Sequence, residues 1–171
     1  MITLILSVFF SIDVSAYDVE VDGIYYNLDP IGNVAEVTNG DYKYVGDITI
    51  PSSIKVNDTE YSVTRVQNYA FKNCSRLTSI TIPNSVTIVG DSTFCGCIHL
   101  QSVNIPSSVT SLGKSTFSGC SSLTSIEIPS NVNYLGNSCF DNCSSLTSIN
   151  IPSSITSLSG GCRYQFSKTR F

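Results

Sequence analysis

The chain of 171 residues contains no tryptophan, one methionine and one histidine, and only 13% of its residues are charged. A single histidine removes most options for a metal site or for acid–base catalysis. Low charge combined with 42% hydrophobic residues argues against a disordered chain, which is rich in charge and poor in apolar residues. A net charge of −4 provides no basic surface for nucleic acid. These deficits leave one small, Ser/Thr-rich, β-prone domain.

The segment formed by residues 1–16 is apolar, and we predict that it is a signal peptide. Its apolar run from Ile2 to Ile12 is too short for a membrane-spanning helix, which needs about 20 residues. It ends in Val14-Ser15-Ala16, small residues that a signal peptidase accepts. An N-terminal core strand is the alternative. The signal peptide predicts a mature chain that begins near Tyr17 and is secreted or displayed at the cell surface, without membrane insertion.

A repeat of 23 residues organises residues 48–158. Each unit combines an L-x-x-I-x-I segment, a proline, two further apolar positions, a glycine, a phenylalanine and a cysteine. Four residue types recur at this spacing: Pro83, Pro106, Pro129 and Pro152; Phe94, Phe117 and Phe140; Cys74, Cys97, Cys120 and Cys143; Leu77, Leu100, Leu123 and Leu146. One coil cannot bury its own apolar face but stacked coils can, so the period predicts a solenoid.

The repeat unit also predicts how each coil is built. The L-x-x-I-x-I segment favours a strand with one buried face, which the proline ends because it offers no N–H to a ladder. Stacked strands give a β-rich solenoid with a parallel sheet on one face and short turns or irregular coil on the other. Gly90, Gly113 and Gly136 are predicted to need positive φ in a tight turn. The repeated cysteines are predicted to form a ladder of inert, buried thiols.

The unit resembles the leucine-rich repeat, and more narrowly its BspA-like subclass, through the I-P-x-S-V and F-x-x-C signatures. The resemblance covers about Ile48 to Leu158. The place where the general repeat has Asn or Cys holds Ser85, Ser108, Asn131 and Ser154. The next apolar residue comes one position early and the cysteine lies late in the unit, and these departures are typical of the subclass. The resemblance implies a leucine-rich-repeat solenoid that adheres to host extracellular matrix or to other cells.

Both ends of the array lack the period. Residues 17–47 carry Asp-Gly, Asp-Pro and Asn-Gly turn signals between short strand-like segments, which predict a β-rich N-terminal cap. Pro51 and Pro83 are 32 residues apart, nine more than the period, and we predict an inserted hairpin over residues 55–61. Residues 159–171 are expected to be an irregular C-terminal tail or a truncated repeat.

Charge is divided unevenly along the chain. Residues 17–60 hold nine acidic and two basic residues, a net charge of −7. Residues 61–171 hold three acidic and seven basic residues, a net charge of +4. A solvated acidic cap explains this division, and a field that orients a partner is the alternative.

The remaining cysteines and the histidine suggest little chemistry. Cys139 and Cys162 are one repeat apart and within disulfide reach if the coils stack at about 5 Å, whereas Cys95 is expected to be an exposed thiol. The segment Cys95–His99 lacks a second ligand pair for a metal, and His99 lacks a partner for catalysis. We therefore predict no enzyme, no metal, no cofactor and no small-molecule substrate.

The strand residues between the buried positions predict the functional surface. They form ladders of small polar groups on the open face of the sheet, where solenoids commonly bind proteins, here by weak and multivalent contacts. A structural spacer without a ligand is the alternative, and glycan binding is disfavoured because the ladders lack aromatic rings. The predicted protein-binding residues are Thr78, Ser79, Thr81, Gln101, Ser102, Asn104, Thr124, Ser125, Glu127, Thr147, Ser148 and Asn150.

Overall fold

The computed structural model describes residues 17–155, which form an all-β solenoid without a helix in that range. The predicted signal peptide, residues 1–16, lies outside the described residues. So do residues 156–171, which include Cys162 and the predicted tail.

Eleven strands in the described range belong to two sheets. In chain order they are β1 (Val19–Val21), β2 (Ile24–Asp29), β3 (Val34–Thr38), β4 (Val45–Thr49), β5 (Ser53–Val56), β6 (Thr59–Val66), β7 (Arg76–Thr81), β8 (Ile88–Val89), β9 (Ser102–Asn104), β10 (Ser111–Leu112) and β11 (Tyr134–Leu135).

The L-x-x-I-x-I segments stack as predicted. Strands β4, β7 and β9 pair in parallel, and an isolated parallel bridge between Glu127 and Asn150 continues the direction in later coils. The opposite side of the solenoid adds a second parallel array, in which β6, β8, β10 and β11 follow one another. The predicted β-rich solenoid is therefore confirmed. The segments on this opposite side, which lead back from one coil to the next and are called return segments, also pair through β6, β8, β10 and β11.

The first coil and the residues before it belong to one mixed sheet, which contains both antiparallel and parallel strand pairs. Strands β1, β2 and β3 are antiparallel neighbours, and β3 then pairs in parallel with β6. Strands β5 and β6 form an antiparallel hairpin that turns at Asn57 and Asp58, both in the left-handed region with φ of 47° and 65°. The hairpin extends beyond the predicted 55–61, and β6 carries the sheet from the cap into the repeats.

A column of stacked aromatic rings runs through the core. The ring centroids of Phe71, Phe94, Phe117 and Phe140 are separated by 5.3, 5.3 and 5.4 Å, and the rings become nearly parallel toward the later coils. Tyr44 continues the column into the cap, 4.4 Å from Phe71. Because each coil contributes one fully or almost fully buried ring, the column holds successive coils in register.

The predicted ladder of buried thiols is confirmed. Cys97, Cys120 and Cys143 each donate from Sγ to the carbonyl of the phenylalanine of the preceding coil, over 3.0, 3.2 and 3.1 Å. Burial raises the pKa of the Cys97 and Cys143 thiols to about 12, which keeps them protonated near neutral pH. Cys95 is half-buried rather than exposed, and Cys162, which the sequence places within disulfide reach of Cys139, lies outside the described residues.

The prediction of positive φ at the repeated glycine is wrong. Gly90, Gly113 and Gly136 do not have positive φ. The serine two positions after each glycine is left-handed instead, as at Ser115 with φ of 53°. A Cβ atom on Gly113 would lie 2.5 Å from the backbone nitrogen of Asp91 in the preceding coil. The glycine is therefore required by close packing between coils, not by a turn.

Candidate functional site

The predicted protein-binding residues lie on the sheet formed by β4, β7 and β9 and on its continuation. Strand register aligns Asp47, Ser79 and Ser102 as one ladder. It aligns Thr49, Thr81 and Asn104 as a second ladder. Successive side chains alternate between the two faces of a strand, so these positions, two residues apart, share one face.

Ten of the twelve predicted residues are exposed, and Thr78 and Ser79 are half-buried. Both hydroxyls donate to Oδ1 of Asp47, over 2.7 and 2.6 Å. The bond from Ser79, followed by that from Thr78, lowers the pKa of the Asp47 carboxyl, which therefore stays charged at neutral pH. Asp47, in the first coil, thus adds a negative charge to the sheet face that carries the two ladders.

A shallow groove of about 570 Å³ lies over this face. Five of the predicted residues line it, and Ile80, Val103 and Ile105 contribute apolar wall between them. The five are Ser79, Thr81, Ser102, Asn104 and Glu127. The other predicted residues do not line the groove: Thr78, Gln101, Thr124, Ser125, Thr147, Ser148 and Asn150.

One wall of the groove comes from turns that follow the strands, which the sequence reasoning missed. Ser107, Pro129 and Ser130 line the groove at the start of these turns. The turns close where the carbonyls of Pro106 and Pro129 accept the N–H groups three residues later, over 3.1 and 3.0 Å. Ser107 and Ser130 directly follow repeated prolines, and this spacing marks the turn in the sequence but not the side of the strands on which the turn lies.

The groove offers hydroxyl and amide groups, one carboxylate from Glu127 and no cationic side chain. Residues 17–155 contain no group of three or more His, Cys, Asp or Glu side chains that could hold a metal ion. His99 is exposed on a turn and donates from Nδ1 to the Ser75 carbonyl over 2.6 Å. Within the same range no helix is long and apolar enough to span a membrane. Its hydroxyl and amide groups make the groove suited to hydrogen bonding with an extended partner.

Comparison with protein families gives one match, described as BspA type leucine rich repeat region. Six copies of it cover residues 51–170. The match begins in the coil that carries the hairpin and continues through the regular repeats.

Solved structures of leucine-rich repeat proteins resemble this chain. A protein from Bacteroides ovatus has a TM-score of 0.61 and 27% identity, covering 80% of this chain and 42% of its own. A protein from Bacteroides capillosus has a TM-score of 0.66 and 26% identity, covering 77% of this chain and 95% of its own. A leucine rich cell surface protein from Faecalibacterium prausnitzii shares the fold, with a TM-score of 0.53 and 20% identity over 77% of this chain and 53% of its own.

The chain spans less than half of the Bacteroides ovatus protein but matches nearly the whole of that from Bacteroides capillosus. A search of curated proteins finds no significant match.

Proposed function

Because the chain belongs to the BspA-type leucine-rich repeat family, we propose that it is a secreted or cell-surface module that binds other proteins. The apolar segment of residues 1–16 supports export, since it has the length and the small terminal residues of a signal peptide. The description of the Faecalibacterium prausnitzii neighbour as a cell surface protein supports the same location.

The groove over the sheet face is the observation that carries this proposal. It is about 570 Å³ in volume, and residues of three successive coils line it, most of them with short polar side chains. Solenoids use extended surfaces of this kind to bind proteins. Hydroxyl and amide groups can pair with the backbone and polar side chains of a partner without a single deep pocket.

The partner class that fits is a host extracellular matrix protein or a protein on another cell, reached through many weak contacts. Short Ser, Thr and Asn side chains supply less binding energy per residue than Trp, Tyr or Arg. Display of many copies on a surface compensates, because linked weak sites give an avidity well above the affinity of one site.

The experiment compares two pairs of lysine substitutions in the full chain, displayed at high density on beads and tested against matrix proteins and cells. Thr81→Lys with Asn104→Lys places two long cations in the groove. Thr87→Lys with Thr110→Lys adds the same charge at exposed return positions, one repeat apart, as the matched control. We expect the groove pair to lose about tenfold or more in retained binding while the control pair binds as the parent does.

Absence of binding by the parent chain, or equal binding by both pairs, would contradict a ligand-binding groove. That result would favour the alternative of a structural spacer, in which the stacked coils only extend a surface array.

A further inference from the structure

A second cleft, of about 260 Å³, lies where the cap meets β4. Tyrosines, aliphatic residues of β4, carboxylates of the β1–β2 hairpin and one lysine surround it. The residues that matter here are Tyr42, Val45, Ile48, Glu20 and Asp22. This cleft adjoins the first strand of the sheet that carries the groove but shares no lining residue with it.

The cleft exposes apolar surface that is not covered within the described part of the chain. Tyr42 is 77% exposed and Val45 is 50% exposed, and both are among the large exposed apolar residues of residues 17–155. Tyrosine is enriched at the energetic centres of protein interfaces because its ring is large and rigid and has a polar end. This small apolar patch is therefore suited to the aliphatic part of a side chain from a partner.

The carboxylates at the edge of the cleft are not neutralised by ion pairs within residues 17–155. The ion pairs found in that range are Lys55 with Asp58 and Arg65 with Glu36. Lys43 also lines the cleft and keeps its positive charge, so the lining carries two negative charges and one positive charge, and the Lys43 ammonium group is held by the Lys72 carbonyl over 3.0 Å. Glu20 and Asp22 thus present negative charge in a segment, residues 17–60, whose net charge is −7.

The base of the cleft is held rigidly. The Tyr44 hydroxyl donates to the Thr38 carbonyl over 2.7 Å and accepts the Tyr25 N–H over 3.0 Å. The Tyr25 ring packs directly on Gly40, where a Cβ atom would lie 2.2 Å from the ring. A site that is already ordered loses little conformational entropy on binding, so even a small contact there contributes affinity.

We propose that this cleft binds a basic side chain, a lysine in its simplest form, of the protein that lies along the groove. The alkyl stem packs on Val45 and Ile48, the ammonium group pairs with Glu20 and Asp22, and the exposed Tyr42 ring adds a cation–π contact. The inference rests on the proposed function for the partner being a protein, and it supplies the anchor that the short polar ladders lack.

The first test titrates Nα-acetyl-lysine amide into the full chain while backbone NMR signals are followed. Its matched control is Nα-acetyl-norleucine amide, which has the same aliphatic stem without the ammonium group. We expect shifts confined to Tyr42, Val45 and the β1–β2 hairpin, an affinity in the millimolar range and weakening at high salt. The norleucine compound should bind about tenfold more weakly. Equal binding of the two compounds, or shifts spread over the repeats, would overturn the proposal.

The second test removes the carboxylates without changing side-chain shape. Glu20→Gln with Asp22→Asn is suitable because Asp22 has φ of 51°, a conformation that asparagine adopts readily. Glu60→Gln is the control, since it removes one carboxylate on the exposed β5–β6 hairpin, where the new amide oxygen can still accept from Ser53. We expect the double variant to bind the lysine compound about tenfold more weakly and the control to match the parent. Unchanged affinity in the double variant would overturn the site.

Failure of this inference can be distinguished from failure of the groove. The groove pair Thr81→Lys with Asn104→Lys should bind the lysine compound as the parent does, because neither residue lines the cleft. In the adhesion assay the Glu20→Gln and Asp22→Asn variant should lose about tenfold in retained binding if the cation belongs to the partner protein. Unchanged adhesion, with loss of the lysine compound, would mean that the cleft takes a free amine and would overturn its role as an anchor.

Discussion

At the residue scale, the backbones of successive coils leave no room for a side chain at the glycine that follows each return strand. Gly113 follows β10, and Gly136 follows β11. A Cβ atom on Gly136 would lie 2.3 Å from the backbone nitrogen of Lys114 in the preceding coil, nearer than real Cβ contacts allow. The atom in conflict is backbone and cannot rotate away. The left-handed conformation instead falls on serine, so steric fit alone selects this glycine.

Two substitutions in one coil separate close packing from backbone conformation. Gly113→Ala should lower the free energy of unfolding by about 1–3 kcal/mol, because the added methyl forces the coils apart. Ser115→Gly should leave stability unchanged or raise it by up to about 1 kcal/mol, since glycine relieves the strain of φ at 53°. Urea denaturation of both variants measures the two effects. A stable Gly113→Ala protein would contradict the close approach.

The buried thiols predict how stability depends on pH. The pKa of the Cys143 thiol is raised by burial from 9.0 to about 12, so the unfolded chain loses this proton at lower pH than the folded chain. The stabilisation is complete below about pH 9 and is lost as the pH rises toward 12, by up to about 1.4 kcal/mol per pH unit. Cys143→Ala should therefore show a shallower loss of stability above about pH 9 than the parent in urea denaturation. Equal slopes would show that the thiol is not buried.

At the element scale, the cap and the repeats are joined by shared strands and by the aromatic column. Strand β6 pairs with β3 of the cap and with β8 of the next coil. Tyr44 stands between Tyr25 and Phe71, with ring centroids 5.6 and 4.4 Å away. Residues 17–47 therefore pack against the first coil through β3 and Tyr44, which agrees with the prediction that they cap the array.

The Tyr44 hydroxyl tests this junction. Tyr44→Phe keeps the ring contact with Phe71 but leaves the Tyr25 N–H and the Thr38 carbonyl without this partner. We expect a loss of about 1–3 kcal/mol in the free energy of unfolding, measured by urea denaturation. Tyr42→Phe is the matched control, because Tyr42 is 77% exposed and its change should be neutral. Equal stability of both variants would contradict the bridging role.

At the scale of the whole molecule, the period of 23 residues was enough to predict the stacked coils. Each repeated position meets the same environment in every coil, so one pattern specifies Phe94, Phe117 and Cys120 together. The pairing of return segments could not be predicted, because strands as short as Ile88–Val89 carry no alternation of their own.

The candidate site was predicted only in part, since its walls depend on three-dimensional arrangement. The strand positions of Ser102 and Asn104 follow from alternation. Ser107 and Ser130 enter through turns whose direction a pattern does not reveal. Asp47 precedes Pro51 by four residues, as Ser79 precedes Pro83, and it was missed because the predicted ladders began only with the regular repeats.

The central claim is that a partner protein lies along the groove. A photo-crosslinking amino acid placed at Asn104, in the groove, or at Thr110, exposed on the return side, tests it directly during adhesion to cells or matrix. We predict that the protein labelled at Asn104 yields a crosslinked partner on irradiation and that the protein labelled at Thr110 does not. Crosslinking from Thr110 alone, or equally from both positions, would contradict binding through the sheet face.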